Sequence, residues 1–231
     1  METWLGLAER TPLLAALLAT LVSGGLATSA GAVPALVLPA VSRATSTVLI
    51  SLAAGLMLGA AVFALLLPAL EHAGEDVPHP VGATAAVTTA LLTGALALYV
   101  ANRWLPHEHF VKKRERDDLE PSTLPRAVLL AVAIAIHNFP EGLSVGIGAA
   151  SGDAVLTGTL MVAMALQNVP EGLVVALGLR AAGFDRVRAF LLASGTGLME
   201  VLGGVAGGAS LAFSSELLPW ALAFAAGAML Y

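Results

Sequence analysis

The sequence predicts an all-α polytopic membrane protein, a helical bundle of six full transmembrane spans plus a truncated seventh with an inverted-repeat transporter architecture. The 231 residues are 58% hydrophobic and 12% charged, whereas soluble globular domains have roughly 25% charged residues. Several apolar runs approach the roughly 20 residues that a helix needs to cross a hydrocarbon core. Two short motifs also recur along the chain. Because the chain contains no cysteine, disulfides and thiolate metal sites are excluded.

The apolar runs order the spans along a single transmembrane domain of residues 1–231. The predicted full spans are 12–31, 47–70, 82–102, 126–149, 155–179 and 188–213. A seventh begins near Leu217, and its 15 residues to Tyr231 are fewer than the roughly 20 that a crossing requires. We therefore expect the chain to be incomplete at its C-terminus, or to end inside the membrane against other helices. In this form we expect it to transport poorly, because the last carbonyls lack helical partners in lipid.

The basic residues predict the orientation of the spans. Ten of the eleven Lys and Arg residues lie in every second connection between spans. These connections contain Arg43, the 103–126 segment, and the stretch from Arg180 to Arg188. The remaining connections carry acidic residues only: Glu71, Glu75, Asp76, Asp153 and Glu216. The positive-inside rule then puts the N-terminus outside and the charged loop 103–125 in the cytoplasm. We expect a multi-pass protein of the cell (inner) membrane.

Two related six-residue motifs lie inside spans 4 and 5: HNFPEG at 137–142 and QNVPEG at 167–172. In each, the first residue and the Glu are four apart and the Asn and the Glu are three apart, so a helix places them on one face. The proline cannot donate a backbone hydrogen bond, which frees the carbonyl of Ile136 or Leu166. In lipid, broken backbone is tolerated only where it is buried in protein or lines a cavity. The motifs therefore predict a polar pocket near the middle of the membrane.

The chemistry of this pocket predicts a divalent metal site. Glu141, Glu171 and Glu200 have no Lys or Arg at matching depth, so each carboxyl is protonated or holds a cation. Imidazole, carboxylate, amide and thioether donors together suit Zn²⁺ or Cd²⁺, and also admit Fe²⁺ and Mn²⁺. The candidate metal ligands are Met57, His137, Asn138, Glu141, Gln167, Asn168, Glu171 and Glu200.

Structural explanations compete for several of these residues. A single proline-containing motif is as often structural as functional, although two copies on successive spans favour function. Met57 considered alone is more often a core residue than a ligand, because a thioether packs well in apolar interiors. Histidines outside the motifs are more often solvated loop residues: His72, His79, His107 and His109.

A second repeat links spans 2 and 7. AAGLML at 53–58 is echoed by AAGAML at 225–230, and the two spans run in opposite predicted directions, as in an inverted repeat. Coincidence in an Ala/Gly/Leu-rich sequence explains the second repeat equally well. Glycines four apart predict close helix packing, with a dimer contact on span 6 as the alternative. The pairs are Gly55 and Gly59, Gly142 and Gly146, Gly203 and Gly207, and Gly204 and Gly208.

HNFPEG, QNVPEG and AAGLML resemble the motifs of the ZIP (Zrt/Irt-like protein) family of divalent metal transporters, and most closely its bacterial branch. The resemblance implies eight spans with both termini outside, a metal pathway formed mainly by spans 4 and 5, dimers, and an elevator-like movement of a helix bundle. This chain departs from the family pattern at Gln167, where many members have His, and at Asn168, where some members have Asp. The resemblance implies a first metal bound by Met57, His137, Glu141, Gln167 and Glu171. It implies a second bound by Asn138, Glu141, Asn168, Glu171 and Glu200, so that the two repeat glutamates bridge the metals.

The predicted function is transport of a divalent cation, with zinc as the first choice, into the cytoplasm through a site on spans 4 and 5. The predicted partners are metal ions, the lipid bilayer and a second copy in a homodimer, with no nucleic acid and no enzymatic activity. The alternative is an intramembrane metal-dependent hydrolase, which needs an open metal position and a general base; the H-E-x-x-H pattern is absent. A third class is a carrier of an organic substrate, with the acids as proton or Na⁺ sites.

Overall fold

The computed structural model describes residues 6, 10–38, 42–76, 80–104 and 123–231. Within these ranges the chain is helical and contains no strand. Six helices are long and apolar enough to cross a membrane, which confirms the predicted all-α polytopic class. His79, His107, His109 and nearly all of the predicted cytoplasmic loop lie outside the described residues.

Seven helices follow one another along the described chain. We number a helix as one element where it continues through a change of helix type. In chain order they are α1 (Pro12–Leu36), α2 (43–76), α3 (Pro80–Trp104), α4 (Thr123–Ser151), α5 (Ala154–Ala181), α6 (Arg186–Phe213) and α7 (Leu218–Leu230).

Two helices contain π-helical turns, at Leu21–Leu26 in α1 and at Ala60–Leu66 in α2. A π turn is a local departure from the regular i→i−4 ladder and is often found at functional sites. The turn in α1 carries Ser23, Gly24 and Gly25, all buried. Hydrophobic periodicity does not predict either π turn, because the apolar run continues through both.

Short connections make α4, α5 and α6 antiparallel neighbours. Gly152 (φ 78°) and Asp153 join α4 to α5, and the second connection contains Gly183 (φ 96°) and Asp185. These left-handed glycines permit turns that other residues adopt only with strain. Each aspartate caps the next helix by accepting hydrogen bonds from two backbone N–H groups. The tight connection between α4 and α5 therefore brings their two motifs to the same depth.

Glycines let α4 and α6 pack backbone to backbone. A Cβ atom at Gly142 would overlap the carbonyl oxygen of Glu200, and one at Gly146 would overlap that of Gly204. In return, a Cβ at Gly203 or Gly207 would overlap a carbonyl oxygen of α4. The predicted close packing is confirmed for these glycines.

The other glycine pairs differ from one another. Gly204 and Gly208 face Thr20 and Ala16 of α1, so both pairs on α6 pack inside the chain. These contacts favour the predicted close packing over the alternative of a dimer contact through these α6 glycines. Gly55 and Gly59 of α2 have no atom of the described chain within 4 Å of an added Cβ, so the prediction of close packing fails there.

Two apolar clusters lie above and below the motifs. The larger lies toward the acidic connections and includes Leu65, Ile147 and Leu160. The smaller lies toward the basic connections and includes Val175 and Ala189. The polar motif residues thus lie between two apolar clusters.

Gly146→Ala should destabilise the fold, because the added methyl group meets the backbone of α6, which cannot move aside without separating the two helices. Overpacking of this kind costs about 1–3 kcal/mol. The control is Gly158→Ala on α5, where an added Cβ meets nothing within 4 Å and alanine favours the helix. Thermal unfolding in detergent should give a lower midpoint for Gly146→Ala and an equal or higher one for Gly158→Ala. Equal midpoints for the two variants would contradict the assigned packing.

Candidate metal site

The two motif helices continue through their prolines. Pro140 and Pro170 are both buried inside uninterrupted helices, so the broken backbone expected from the sequence is not observed. Each proline still lacks the N–H that would bond to the carbonyl four residues back. Each helix therefore lacks one backbone hydrogen bond at its proline. Because the helices are otherwise continuous, the motif side chains keep helical spacing.

Three carboxyl groups lie deep in the bundle without a basic partner in the part of the chain that the structure describes. Glu141 and Glu200 are fully buried and Glu171 is partly buried. The ion pairs among the described side chains lie elsewhere, at His72–Glu75 and Arg188–Asp185. Uncompensated buried charge is costly, so these carboxyl groups require protons, hydrogen-bond donors or a cation.

Gln167 joins two of the carboxyl groups through its amide nitrogen. Its Nε2 donates to Oε1 of Glu141 and, at 3.5 Å, to Oε1 of Glu171. This places the first residue of the second motif between the two repeat glutamates. The amide oxygen of Gln167 receives no hydrogen bond.

Asn168 and Ser23 hold the third carboxyl group. Asn168 Nδ2 donates to Oε2 of Glu200 at 2.7 Å and to the carbonyl oxygen of Ser23 at 3.0 Å. The hydroxyl of Ser23 donates to Oε1 of Glu200 at 3.3 Å. Gly24 gives the carboxyl group its space, because a Cβ there would overlap it. Sequence reasoning missed Ser23; a serine beside two glycines in an apolar span is the only signal it offers.

Asn138 is anchored in the same way as Asn168. Its Nδ2 donates to the carbonyl oxygen of Thr196 on α6 at 3.2 Å. Both motif asparagines thus bind a backbone carbonyl of another helix through nitrogen. Their oxygens are directed away from those anchors and receive no hydrogen bond.

Five buried oxygen atoms of the two motifs have no hydrogen-bond donor among the described residues. They share a chemistry, since all are carboxylate or amide oxygens on α4 or α5. They are Oδ1 of Asn138, Oε2 of Glu141, Oε1 of Gln167, Oδ1 of Asn168 and Oε2 of Glu171. Buried acceptors are almost always satisfied in native proteins, and a cation satisfies such oxygens directly.

A cavity of about 210 Å³ borders this cluster between α2, α4 and α5. Met57, His137 and Glu171 line it, and Met57 Sδ lies 2.7 Å from His137 Nε2. The lining residues come from the first halves of α2 and α4 and the second half of α5. Those halves adjoin the basic connections of the chain, so the cavity lies on the side predicted to be cytoplasmic.

The structure brings all eight candidate residues into this region. Contacts join Met57 to His137, Gln167 to both repeat glutamates, and Asn168 to Glu200. In the described part of the chain, no three His, Asp or Glu side chains form a metal-binding group by themselves. Any metal site here is therefore of the mixed kind that the sequence predicts, with amide and thioether donors beside the carboxylates.

Known proteins show the same sequence pattern. A family model described as "ZIP Zinc transporter" matches residues 105–231. The zinc transporter GufA of Myxococcus xanthus is 41% identical over 220 residues, covering 94% of this chain and 84% of that protein. The zinc transporter ZIPB of Bordetella bronchiseptica is 39% identical over 210 residues, covering 90% and 67%. The zinc transporter ZIP11 of Xenopus tropicalis is 31% identical over 294 aligned positions, covering 96% and 87%.

These similarities extend over nearly the whole chain, and the helices and the mixed donor cluster agree with them. The chain belongs to the ZIP family of zinc transporters.

Proposed function

We propose that this protein moves divalent cations, with zinc preferred, into the cytoplasm through the donor cluster on α4 and α5. The observation that carries the proposal is the set of five buried oxygen atoms without donors. They lie beside three carboxyl groups that have no basic partner among the described side chains. One or two divalent cations would satisfy the oxygens and the charge together.

The contacts divide the donors into two neighbouring groups. Met57 and His137 line the cavity and supply thioether and imidazole donors, and Gln167 adds an amide beside Glu171, which also lines the cavity. Asn168 and Glu200 lie deeper, against α1. Glu141 and Glu171 lie within reach of Gln167, so they suit the bridging role between a first and a second metal.

The donor chemistry favours zinc and cadmium over harder cations. Imidazole and thioether are softer donors than carboxylate oxygen, and a borderline cation accepts both. Manganese and iron remain admissible substrates because oxygen donors predominate. The relatives are named as zinc transporters, which supports zinc as the first metal to test.

Transport is also favoured over hydrolysis. A metal-dependent hydrolase needs a general base beside the metal-bound water. Here Glu141, Glu171 and Glu200 are held by amide or hydroxyl donors inside the donor cluster. None of these three carboxyl groups lies outside the donor cluster, where it could serve as a general base for a metal-bound water.

The positive-inside rule supports an inner-membrane protein with its N-terminus outside. Arg186 is exposed at the first residue of α6, and Glu216 is exposed just beyond the other end of that helix. In a chain without native cysteine, Glu216→Cys should react with an impermeant maleimide from the periplasmic side. Arg186→Cys should react only after the membrane is permeabilised. Reaction of Arg186→Cys in intact cells would reverse the orientation.

Gln167→His should raise zinc uptake relative to manganese uptake and lower the maximal rate. Imidazole nitrogen binds Zn²⁺ more strongly than amide oxygen does. The variant should therefore prefer Zn²⁺ over Mn²⁺ and release bound Zn²⁺ more slowly. We expect the Zn²⁺/Mn²⁺ uptake ratio to change by roughly tenfold, which corresponds to about 1.4 kcal/mol. Competitive uptake into proteoliposomes measures the ratio. An unchanged ratio would show that residue 167 is not a ligand.

His137→Ala should remove most zinc uptake, because it deletes the imidazole that borders both the cavity and Met57. The matched control is His72→Ala, whose histidine lies 3.9 Å from Glu75 on the surface and should transport normally. Loss of a ligand should lower uptake by about tenfold or more. Full zinc uptake by His137→Ala would contradict the proposed site, whereas loss in both variants would point to damage unrelated to metal binding.

A further inference from the structure

We propose that Ser23 of α1 is a positioning residue of the candidate metal site. Its hydroxyl and its backbone carbonyl hold Glu200 and Asn168 in the direction in which their oxygen atoms can bind a cation. The proposal rests on the proposed function and deepens it, because it adds α1 to a site whose eight candidate ligands lie on α2, α4, α5 and α6. Ser23 acts through its two neighbours and does not bind the metal itself.

Both polar groups of Ser23 are engaged with the donor cluster. Its hydroxyl donates to Oε1 of Glu200 at 3.3 Å, and its carbonyl oxygen accepts from Nδ2 of Asn168 at 3.0 Å. The same Nδ2 donates to Oε2 of Glu200 at 2.7 Å. The three residues therefore close a ring of hydrogen bonds that joins α1, α5 and α6. All three are 0% exposed, so bulk water does not reach these contacts.

The carbonyl oxygen of Ser23 decides which way the Asn168 amide points. A backbone carbonyl can only accept a hydrogen bond, so the side-chain atom that faces it must be the nitrogen. Because the hydrogens of Nδ2 are directed to Ser23 and Glu200, the amide oxygen is turned the other way. That oxygen accepts no hydrogen bond from the described residues and is free to bind a cation.

The hydroxyl of Ser23 makes Glu200 different from the other two buried carboxyl groups. Both oxygens of Glu200 accept a hydrogen bond, whereas Oε2 of Glu141 and Oε2 of Glu171 accept none from the described residues. A carboxylate oxygen offers about two acceptor sites, so Glu200 can keep both donors and still bind a metal. Hydrogen bonds from neighbouring residues orient metal-ligating carboxylates, and this is the role that the geometry assigns to Ser23.

Close packing of α1 on α6 holds Ser23 at this point. The carboxyl group of Glu200 occupies the place that a Cβ atom of Gly24 would take. On α6, an added Cβ at Gly197 would lie 3.2 Å from Cα of Gly25. Both glycines of α1 lie in its π turn, next to Ser23. The position of the hydroxyl is thus set by backbone contacts between two helices.

The donors that Ser23 positions are all oxygen atoms. Asn168 offers an amide oxygen and Glu200 a carboxylate, whereas Met57 and His137 supply sulfur and nitrogen at the cavity. Oxygen donors suit the harder cation Mn²⁺, and thioether and imidazole suit the softer Cd²⁺. Loss of the Ser23 hydroxyl should therefore weaken Mn²⁺ binding more than Cd²⁺ binding. General loosening of the fold would weaken the binding of both cations alike.

The experiment measures the Mn²⁺ and Cd²⁺ affinities of the purified chain in detergent by equilibrium dialysis. Ser23→Ala removes the hydroxyl and keeps the backbone carbonyl. We expect it to lower Mn²⁺ affinity by about tenfold, as loss of a hydrogen bond to a ligating group does, and to lower Cd²⁺ affinity by a smaller factor. The matched control is Ser29→Ala on the same helix, whose hydroxyl donates to the carbonyl oxygen of Gly25 at 2.7 Å. That variant should leave both affinities unchanged.

A second comparison tests whether Ser23 acts through Glu200. The hydroxyl of Ser23 donates to that carboxyl group, so Ser23→Ala should lower Mn²⁺ affinity much less in a Glu200→Gln background than in the parent protein. Two residues that act as one unit show such non-additivity, and independent residues do not.

Equal Mn²⁺ affinity in the parent and in Ser23→Ala would overturn the inference, while metal uptake by the parent upheld the proposed function. Equal loss of Mn²⁺ and Cd²⁺ affinity in Ser23→Ala would assign the hydroxyl to packing alone and overturn the positioning role. An undiminished effect of Ser23→Ala in the Glu200→Gln background would overturn the route through Glu200. Absence of metal binding and uptake by the parent would overturn both proposals.

Discussion

The burial of three carboxyl groups at membrane depth is the constraint on which the rest of the structure depends. Glu141, Glu171 and Glu200 come from three helices and have no basic partner among the described side chains. In a medium where an unpaired charge costs several kcal/mol, only protons, hydrogen-bond donors or cations allow such a cluster to persist. The amides of Gln167 and Asn168 supply part of that stabilisation by donating hydrogen bonds. The stabilisation is incomplete at the buried motif oxygens that accept no hydrogen bond from the described residues.

Close packing of helices makes this arrangement possible. Glu200 reaches the motifs because Gly142 lets the α6 backbone touch α4, and Gly24 leaves room for its carboxyl group on α1. The π turn at Leu21–Leu26 brings Ser23 to the same point with its carbonyl and its hydroxyl both engaged. Backbone carbonyls then fix the direction of the asparagine side chains. A larger residue at either glycine would separate the acid from its donors as well as loosening the helices.

The sequence predicted the fold because the fold depends on spacing, whereas the metal-ligand roles within the donor cluster stay a prediction. The apolar runs predicted the helices, and related motifs on consecutive spans predicted that Glu141 and Glu171 lie at one depth. Orientation within the cluster could not be predicted. Whether Gln167 turns its nitrogen or its oxygen to the glutamates depends on packing across helices, and Ser23 belongs to no pattern. The packing partners of the glycine pairs could not be predicted either. Spacing alone does not distinguish Gly203, which packs against α4, from Gly55, where an added Cβ would meet no atom of the described chain within 4 Å.

The difference between the two motifs acquires a direction from the position of the cavity. His137 lines the cavity on the basic side, whereas Gln167 lies fully buried between Glu141 and Glu171. Under the proposed orientation the imidazole is the donor nearer the cytoplasm, where an imported ion would be released. The amide exchanges hydrogen bonds with the glutamates easily because it can present nitrogen to a carboxylate or oxygen to a metal. An imidazole in that place would bind metal more tightly and bridge the two carboxylates less readily. The asymmetric pair therefore suits a site that must stay intact without metal, accept it from one side and release it to the other.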